Sequence, residues 1–307
     1  MPDLPIRTVI IPAAGRGTRL FPATKVTAKE LLPVYDRVVL DFAIDEATSL
    51  GAERIVIVIS TAKIAIQAYL SGHGLQVVRH NALIKPGSRK AGPEKIFVFQ
   101  DQPLGLGHAV LCCKEVTLPG AFAVLLPDDI IVGASCLAEM ATHYTGGHMV
   151  AAMLVKPEET SQYGIFRLGG LPRDNCFPVS GMVEKPCPEV APSSIAAVGR
   201  YILDPVIFDA LENTPVGKGG ELQLTDAIAL SAVATPVVAF KFSGTRYDCG
   251  NHDGLLGAAI ARKAVARQEF ASAPHSDTIA GVVRAMMPKV KVPGQSAAPA
   301  TASADTL

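Results

Sequence analysis

Four cations follow a strand-like apolar run near the start of the chain. Val9-Ile10-Ile11 stops at Pro12 and gives way to small residues and two glycines, and Arg16, Arg19, Lys25 and Lys29 then recur through the stretch Ile10 to Pro33. Ala13, Ala14, Gly15 and Gly17 open backbone N–H groups to close approach, because little or no side chain stands in the way. Such a loop on a rigid strand can lie against an anion, and phosphate is the obvious candidate. Gly15-Arg16-Gly17-Thr18-Arg19 is not a dinucleotide fingerprint, since Leu20 stands where GxGxxG needs its third glycine, and GxxxxGK[ST] is absent. The plain alternative is a strand-to-helix turn with exposed arginines. The continuation to Lys25 and Lys29 argues against it and suggests a triphosphate.

Carboxylates complement these cations. Asp128 follows the apolar run Ala121 to Leu126, where a carboxylate at the mouth of a sheet can hold Mg2+ through oxygen. Pro127-Asp128-Asp129 reads equally as a turn leading into the next helix. Asp248, in Tyr247-Asp248-Cys249-Gly250-Asn251, is a second candidate ligand or a turn aspartate. Glu184-Lys185 could accept hydrogen bonds from sugar hydroxyls while the lysine pairs with a phosphate, or could be a surface ion pair. Gly219-Gly220-Glu221 leads to Gln223-Leu224-Thr225-Asp226, where Thr225 or Asp226 could cap a helix. His108 lies near the start of an apolar helix and is assigned no role. Cys249 has no histidine partner in view and reads as structural.

The elements that must position these groups alternate. Val38 to Ser49 has helical spacing, Arg54 to Ile59 is a β-branched run of the kind buried on both faces, and Lys63 to Leu70 is predicted helical. Strands are predicted at Gln76 to Arg79, Lys95 to Phe99 and Ala121 to Leu126, with a helix at Gly105 to Val116. This predicts an α/β fold with a parallel sheet flanked by helices on both faces. Ligands then bind outside the carboxyl ends of the strands, so the glycine loop, the turn Gln100 to Gly107 and Asp128-Asp129 are expected to converge. Later segments are shorter: strands at Met149 to Val155, Gly164 to Leu168, Val179 to Glu184 and Ile195 to Leu203 predict a smaller mixed sheet beside the first. Helices at Ser135 to Tyr144, Pro205 to Glu212, Leu224 to Val233 and His252 to about Gln268, with a strand at Val237 to Phe242, complete a catalytic domain over residues 1–270. Residues 271–307 are rich in Ala, Ser and Pro and predict a largely disordered tail, with one short helix at Thr278 to Met286.

Bulk composition narrows the partners. Lys+Arg and Asp+Glu are both 28 in 307 residues, so no strongly basic face points to nucleic acid or an anionic membrane. Six cysteines show no CxxC pair, which predicts reduced thiols in a cytoplasmic protein. No signal peptide is read at the start, and no apolar run approaches the roughly 18–20 residues of a membrane span.

Seven stretches, in order, carry a resemblance. They are the GxGTRxxPxTKxxxKExLP opening, Gly105 to Val110, Leu126-Pro127-Asp128, Val183 to Pro186, Val198 to Tyr201, Glu221 to Asp226 and Asp248 to Asn251. Over about Thr8 to Gln268 the chain resembles the sugar-phosphate nucleotidyltransferases, specifically the bacterial UTP:glucose-1-phosphate uridylyltransferases, or UDP-glucose pyrophosphorylases. The resemblance implies a Rossmann-like nucleotidyltransferase fold, a mostly parallel central sheet with a smaller mixed-sheet sugar-binding part, and a homo-oligomer, dimer or tetramer. It implies that Ala13, Ala14, Gly15, Gly17 and Thr18 lie along the nucleotide, that Gln100 and Gly105 read uracil, and that Arg19 and Lys29 are catalytic on the triphosphate. Asp128 and Asp248 would hold Mg2+, Gly164 and Glu184 would meet glucose hydroxyls, and Lys185 would hold the sugar phosphate. The implied substrates are UTP and glucose 1-phosphate, with UDP-glucose as product; a thymidylyltransferase and a non-catalytic sugar-nucleotide-binding protein are the alternatives. Departures are Ala28 where the family has proline, which predicts a more mobile Thr27 to Glu30, Arg37-Val38 for Lys-Pro, and Asp129 where an apolar residue is common.

Overall fold

The computed structural model describes residues 6–71 and 92–272. The expected strand at 76–79 and the expected tail with its short helix at 278–286 lie outside them. The chain divides into two units, residues 1–264 and 265–307. In chain order the first contains β1 (Thr8–Pro12), β2 (Pro33–Val34), β3 (Arg37–Val38), α1 (Val39–Ser49), β4 (Arg54–Ile59), α2 (Ile64–Ser71), β5 (Glu94–Phe99) and α3 (Leu106–Leu111). Then come β6 (Phe122–Leu125), β7 (Asp129–Val132), α4 (Cys136–His143), β8 (His148–Leu154), β9 (Gly164–Leu168), β10 (Cys176–Glu184) and β11 (Ile195–Leu203). The series ends with α5 (Ile207–Asn213), α6 (Leu224–Ser231), β12 (Val237–Lys241), β13 (Thr245–Asp248) and α7 (His252–Ser272), the last of which continues into the second unit.

Nine strands form one sheet in the order β5-β4-β1-β6-β11-β8-β12-β10-β9. Alternate side chains of its first strands enter two separate cores, as a period of two requires. Val9 and Ile11 of β1 and Ile55, Ile57 and Ile59 of β4 pack with α1, α2 and α4 on one face. Ile10, Val56 and Val58 pack with α3, α5 and α6 on the other. The β-branched runs are thus continuous in sequence because both faces are covered.

Sheet direction corrects the expectation. Only β5, β4, β1 and β6 form a parallel block, and β8 with β12 adds one more parallel pair. β11 enters antiparallel between β6 and β8, and β10 is antiparallel to both β12 and β9. The mixed part is therefore not a second sheet beside the first; β11, apolar apart from Gly199 and Arg200, hydrogen-bonds directly into it. A separate two-stranded ribbon of β7 with β13 was not expected from the sequence. Among the described residues no helix is long and apolar enough to cross a membrane.

His148 opens β8 fully buried. Its backbone N–H donates to Pro236 O and its Nδ1 accepts from the Asp204 N–H at 3.2 Å, while Nε2 has no partner among the described residues. Burial pushes the imidazole down to about 4, with Asp204 pulling weakly the other way. The unfolded chain takes this proton near 6.5 and the folded one does not until about 4. The resulting stability is full above pH 6.5 and is lost as pH falls toward 4, worth on the order of 3 kcal/mol. Thermal melts are expected to show Tm falling through that window, and His148→Gln to flatten the fall; an unaltered profile in the variant would show that another group is responsible.

Candidate active site

β1 delivers the glycine-bearing loop, and its first residue is held firmly. The Ala13 N–H donates to Val58 O at 2.7 Å, which continues the β1–β4 ladder by one residue. Ala14, Gly15 and Arg16 then run outward, with Gly15 and Arg16 exposed. Gly17, at φ +66°, turns the chain into a short 3-10 segment, Thr18–Leu20, that buries Leu20 and presents exposed Thr18 and Arg19. A second such segment, Ala23–Lys25, follows, and a third, Lys29–Leu31, closes the loop. Residues 27–30 are anchored rather than loosened by the missing proline: Ala28 packs on the core, and Glu30 is 0% exposed and ion-paired with Lys63 at 2.7 Å.

Asp128 lies in the turn between β6 and β7, and Asp248 ends β13. Their meeting depends on the ribbon, whose register sets Asp248 opposite Asp129, one residue beyond Asp128. The Cys249 N–H donates to Asp128 O at 2.7 Å and locks that register. Lys29 Nζ is ion-paired with Asp128 Oδ2, and Arg19 Nη1 lies 3.3 Å from Asp248 Oδ2. Arg19, Asp128 and Asp248 surround Gly250, whose N–H donates to Asp248 Oδ1 at 2.9 Å. A Cβ there would stand 2.5 Å from Arg19 Nη2, 2.8 Å from Asp248 Oδ1 and 3.2 Å from Asp128 Oδ2, so any side chain at this position would push these groups from their present positions. Two carboxylates facing one small space suit a hard divalent cation that keeps most of its waters. No larger group of His, Cys, Asp or Glu gathers elsewhere among the described residues.

Burial alone would raise the Asp128 carboxyl, but the Lys29 ammonium outweighs it and holds the group below its usual range. Burial likewise works to lower Lys29, and Asp128 and Glu30 together raise it above its ordinary value. Cys249 is pushed up to about 12 by burial, with the Asp128 charge second, so its thiol is inert as expected.

Buried arginines fix the turn from behind. Arg200, on β11 and 2% exposed, donates to Leu126 O at 3.1 Å, Gly199 O at 3.1 Å and Asp129 O at 2.7 Å, and pairs with Glu46 at 2.8 Å. The Asp129 side chain, unexpected in polarity, accepts from Gly199 N at 2.8 Å and from Arg246 Nε at 2.8 Å. Asp129 is thus a structural brace. Sequence reasoning missed both arginines, although a charged residue inside the apolar run Ile195 to Leu203 is itself a signal, since a buried charge must be paired.

Glu184 and Gly164 are register partners at the end of β10 and start of β9. Thr225, inside α6 rather than capping it, donates from Oγ1 to Glu184 Oε2 at 2.7 Å. Lys185, at φ +46°, donates its N–H to Tyr163 O at 2.9 Å and places Nζ 3.2 Å from Glu184 Oε1. Gln100 Nε2 donates to Gly105 O at 3.0 Å and lies 2.9 Å from His108 Nδ1.

A cavity of about 270 Å³ joins these groups: Arg19, Asp128, Asp248, Gly164, Glu184 and Lys185 all line it, as do Tyr163 and Thr225. Ala13, Ala14, Gly15, Gly17, Thr18, Lys29, Gln100 and Gly105 do not line it, though Leu106, next to Gly105, does. The cavity thus carries Arg19 with Asp128 and Asp248 and also the Glu184–Lys185 pair, cations and carboxylates suited to anionic and hydroxyl-bearing ligands.

Comparisons with known proteins identify the family. The model of the nucleotidyl transferase family matches residues 8–264. A UTP–glucose-1-phosphate uridylyltransferase of Pseudomonas aeruginosa is 40% identical over 82% of this chain and 94% of its own, and one of Streptococcus pyogenes is 38% identical over 83% and 88%. The crystal structure of a UDP-glucose pyrophosphorylase complexed with UDP-glucose superposes with a TM-score of 0.74 at 35% identity, covering 84% of this chain and 98% of that one. With a loop of paired cations, a brace of aspartates and matches of this extent, the chain belongs to the nucleotidyl transferase family, among the UTP–glucose-1-phosphate uridylyltransferases.

Proposed function

We propose that the chain transfers a uridylyl group from UTP to glucose 1-phosphate, releasing pyrophosphate and leaving UDP-glucose. The observation that carries this reading is that Asp128 and Asp248, paired with Lys29 and Arg19, meet around Gly250 in contact with the cavity that also holds Glu184 and Lys185. A phosphate oxygen of the sugar phosphate attacks the α-phosphorus in line, and the bond to the bridging oxygen of the leaving pyrophosphate breaks. A phosphate dianion is already nucleophilic, so the site needs positioning and charge rather than a general base.

Roles follow from placement. Arg19 and Lys29 receive the triphosphate, with Ala13, Ala14, Gly15, Gly17 and Thr18 along the nucleotide. Lys185 holds the sugar phosphate. Glu184, aligned by Thr225, accepts from glucose hydroxyls beside Gly164. Both N–H bonds of the Gln100 amide are directed at Gly105 O and His108 Nδ1, which leaves Oε1 as an acceptor. It suits the N3–H of uracil and opposes cytosine, whose N3 is itself an acceptor. Mg2+ held by Asp128 and Asp248 would neutralise phosphate charge and align the two ligands. A homo-oligomer is part of the same proposal, and light scattering on the full chain tests it.

Pyrophosphate release from glucose 1-phosphate is expected with UTP in the presence of Mg2+, and not with CTP, ATP or GTP. Turnover with dTTP above UTP would favour the thymidylyltransferase, and no release with any nucleotide would favour a binding protein. Arg19→Ala should lower kcat by about a hundredfold, the scale of one lost transition-state donor, with Tm within a few degrees because Arg19 is exposed. Near-normal turnover in that variant would sink the assignment. Thr225→Val should raise KM for glucose 1-phosphate about tenfold, the equivalent of one hydrogen bond to a charged group, and leave KM for UTP within about twofold; the reverse pattern would remove Glu184 from the sugar side.

A further inference from the structure

The loop that carries Arg19 and Lys29 begins and ends at one buried ammonium. Lys63 lies in a 3-10 turn, Thr61–Lys63, that follows β4. Its Nζ donates to Ala13 O at 2.8 Å, to Glu30 Oε1 at 2.9 Å and to Glu30 Oε2 at 2.7 Å. An ammonium has three N–H bonds, and here each has an acceptor. Lys63 therefore has no donor left for a ligand. Its acceptors are seventeen positions apart in the chain, at the two feet of the loop, and the exposed residues Gly15, Arg16, Thr18 and Arg19 stand between them.

Each foot leads directly to the site. The Ala13 N–H is held by Val58 O as well, so the peptide groups on both sides of this residue are fixed. Glu30 adjoins Lys29, whose ammonium is on Asp128. Glu30 is 0% exposed and Lys63 8%, so the contact is dry and any change in it is transmitted rather than absorbed by solvent. Burial raises the Glu30 carboxyl and lowers the Lys63 ammonium, and each charge opposes the shift of the other.

We propose that Lys63 is a positioning residue for the nucleotide: by holding the Ala13 carbonyl and the Glu30 carboxylate on one ammonium, it closes the base of the loop and sets where Lys29 and Arg19 meet the triphosphate. This rests on the reading of the loop as the UTP site.

The test separates positioning from simple stability. Lys63→Met leaves Glu30 charged and buried without its partner, and it should lower both Tm and UTP affinity. Lys63→Met/Glu30→Met removes the orphaned charge and should return Tm to within a few degrees of the parent. Calorimetric titration with UTP in the absence of sugar phosphate reads the site without turnover. The double variant is expected to bind UTP at least about tenfold more weakly than the parent, with KM for glucose 1-phosphate within about twofold. Glu30→Gln, which leaves the Lys63 bond to Ala13 in place, should bind UTP within about threefold of the parent. If the double variant does not fold, Lys63→Gln/Glu30→Gln is measured in the same way. Parent-like Tm together with parent-like UTP affinity in the charge-free pair would overturn the proposal, and so would an equal loss of affinity in Glu30→Gln, which would transfer the role to Glu30. A parent that binds no nucleoside triphosphate would overturn the UTP reading itself, before any variant is compared.

Discussion

The Lys29 ammonium on the Asp128 carboxylate, with Arg19 against Asp248 beside it, ties the loop that carries the cations to two other parts of the chain. The loop follows β1, and the other two are the turn after β6 and the end of β13. Opposite charges attract strongly only where water is thinned, and losing one partner of a buried pair costs about 3–5 kcal/mol. The same logic repeats behind the site, where Lys63 meets Glu30, Arg200 meets Glu46 and Arg246 meets Asp129. Each pair also grips backbone or a second side chain, so neutralising charge and fixing geometry are one act. The sheet supplies the platform, but these pairs decide where its loops point.

Much of that platform was legible. The runs at β1, β4 and β6 announced themselves because strands covered on both faces need apolar residues without interruption, and β11 was legible as a strand despite Arg200. Direction was not legible: nothing in the composition of β11 says that it runs against β6. The ribbon of β7 with β13 escaped notice because each strand has four residues and more than a hundred residues separate them. It is nonetheless the reason that Asp128 and Asp248 are neighbours. The charged feet of the loop were hidden for a different reason. A lone lysine after a strand reads as solvated, and only the fold reveals that Lys63 points at Ala13 and Glu30. Arg19, Asp128, Gly164, Glu184, Lys185 and Asp248, which line the cavity, could be picked out in the sequence, whereas the residues that brace them could not.

Two main-chain hydrogen bonds connect the segment after Gln100 with the segment before Thr225. The Leu222 N–H donates to Leu104 O at 2.7 Å, and the Gly107 N–H donates to Leu222 O at 2.9 Å. A Cβ on Gly107 would stand 2.7 Å from Leu222 O, and one on Gly105 2.8 Å from it, so both glycines admit this close pass. The segment that begins at Gly105 and the helix whose Thr225 steers Glu184 are thereby built on a shared main-chain seam. A displacement on one side has no slack in which to disappear before reaching the other.

Lys185 occupies the left-handed region at φ +46°, a conformation that costs a side-chain-bearing residue about 1–2 kcal/mol. The bond from its N–H to Tyr163 O and the contact with Glu184 offset that cost when the chain folds. What is settled during folding does not have to be settled again when an anion arrives. With Lys185 as the proposed sugar-phosphate cation, the backbone under it would add almost no ordering entropy to ligand capture, and selectivity at this end of the cavity would rest on shape and charge held ready in advance.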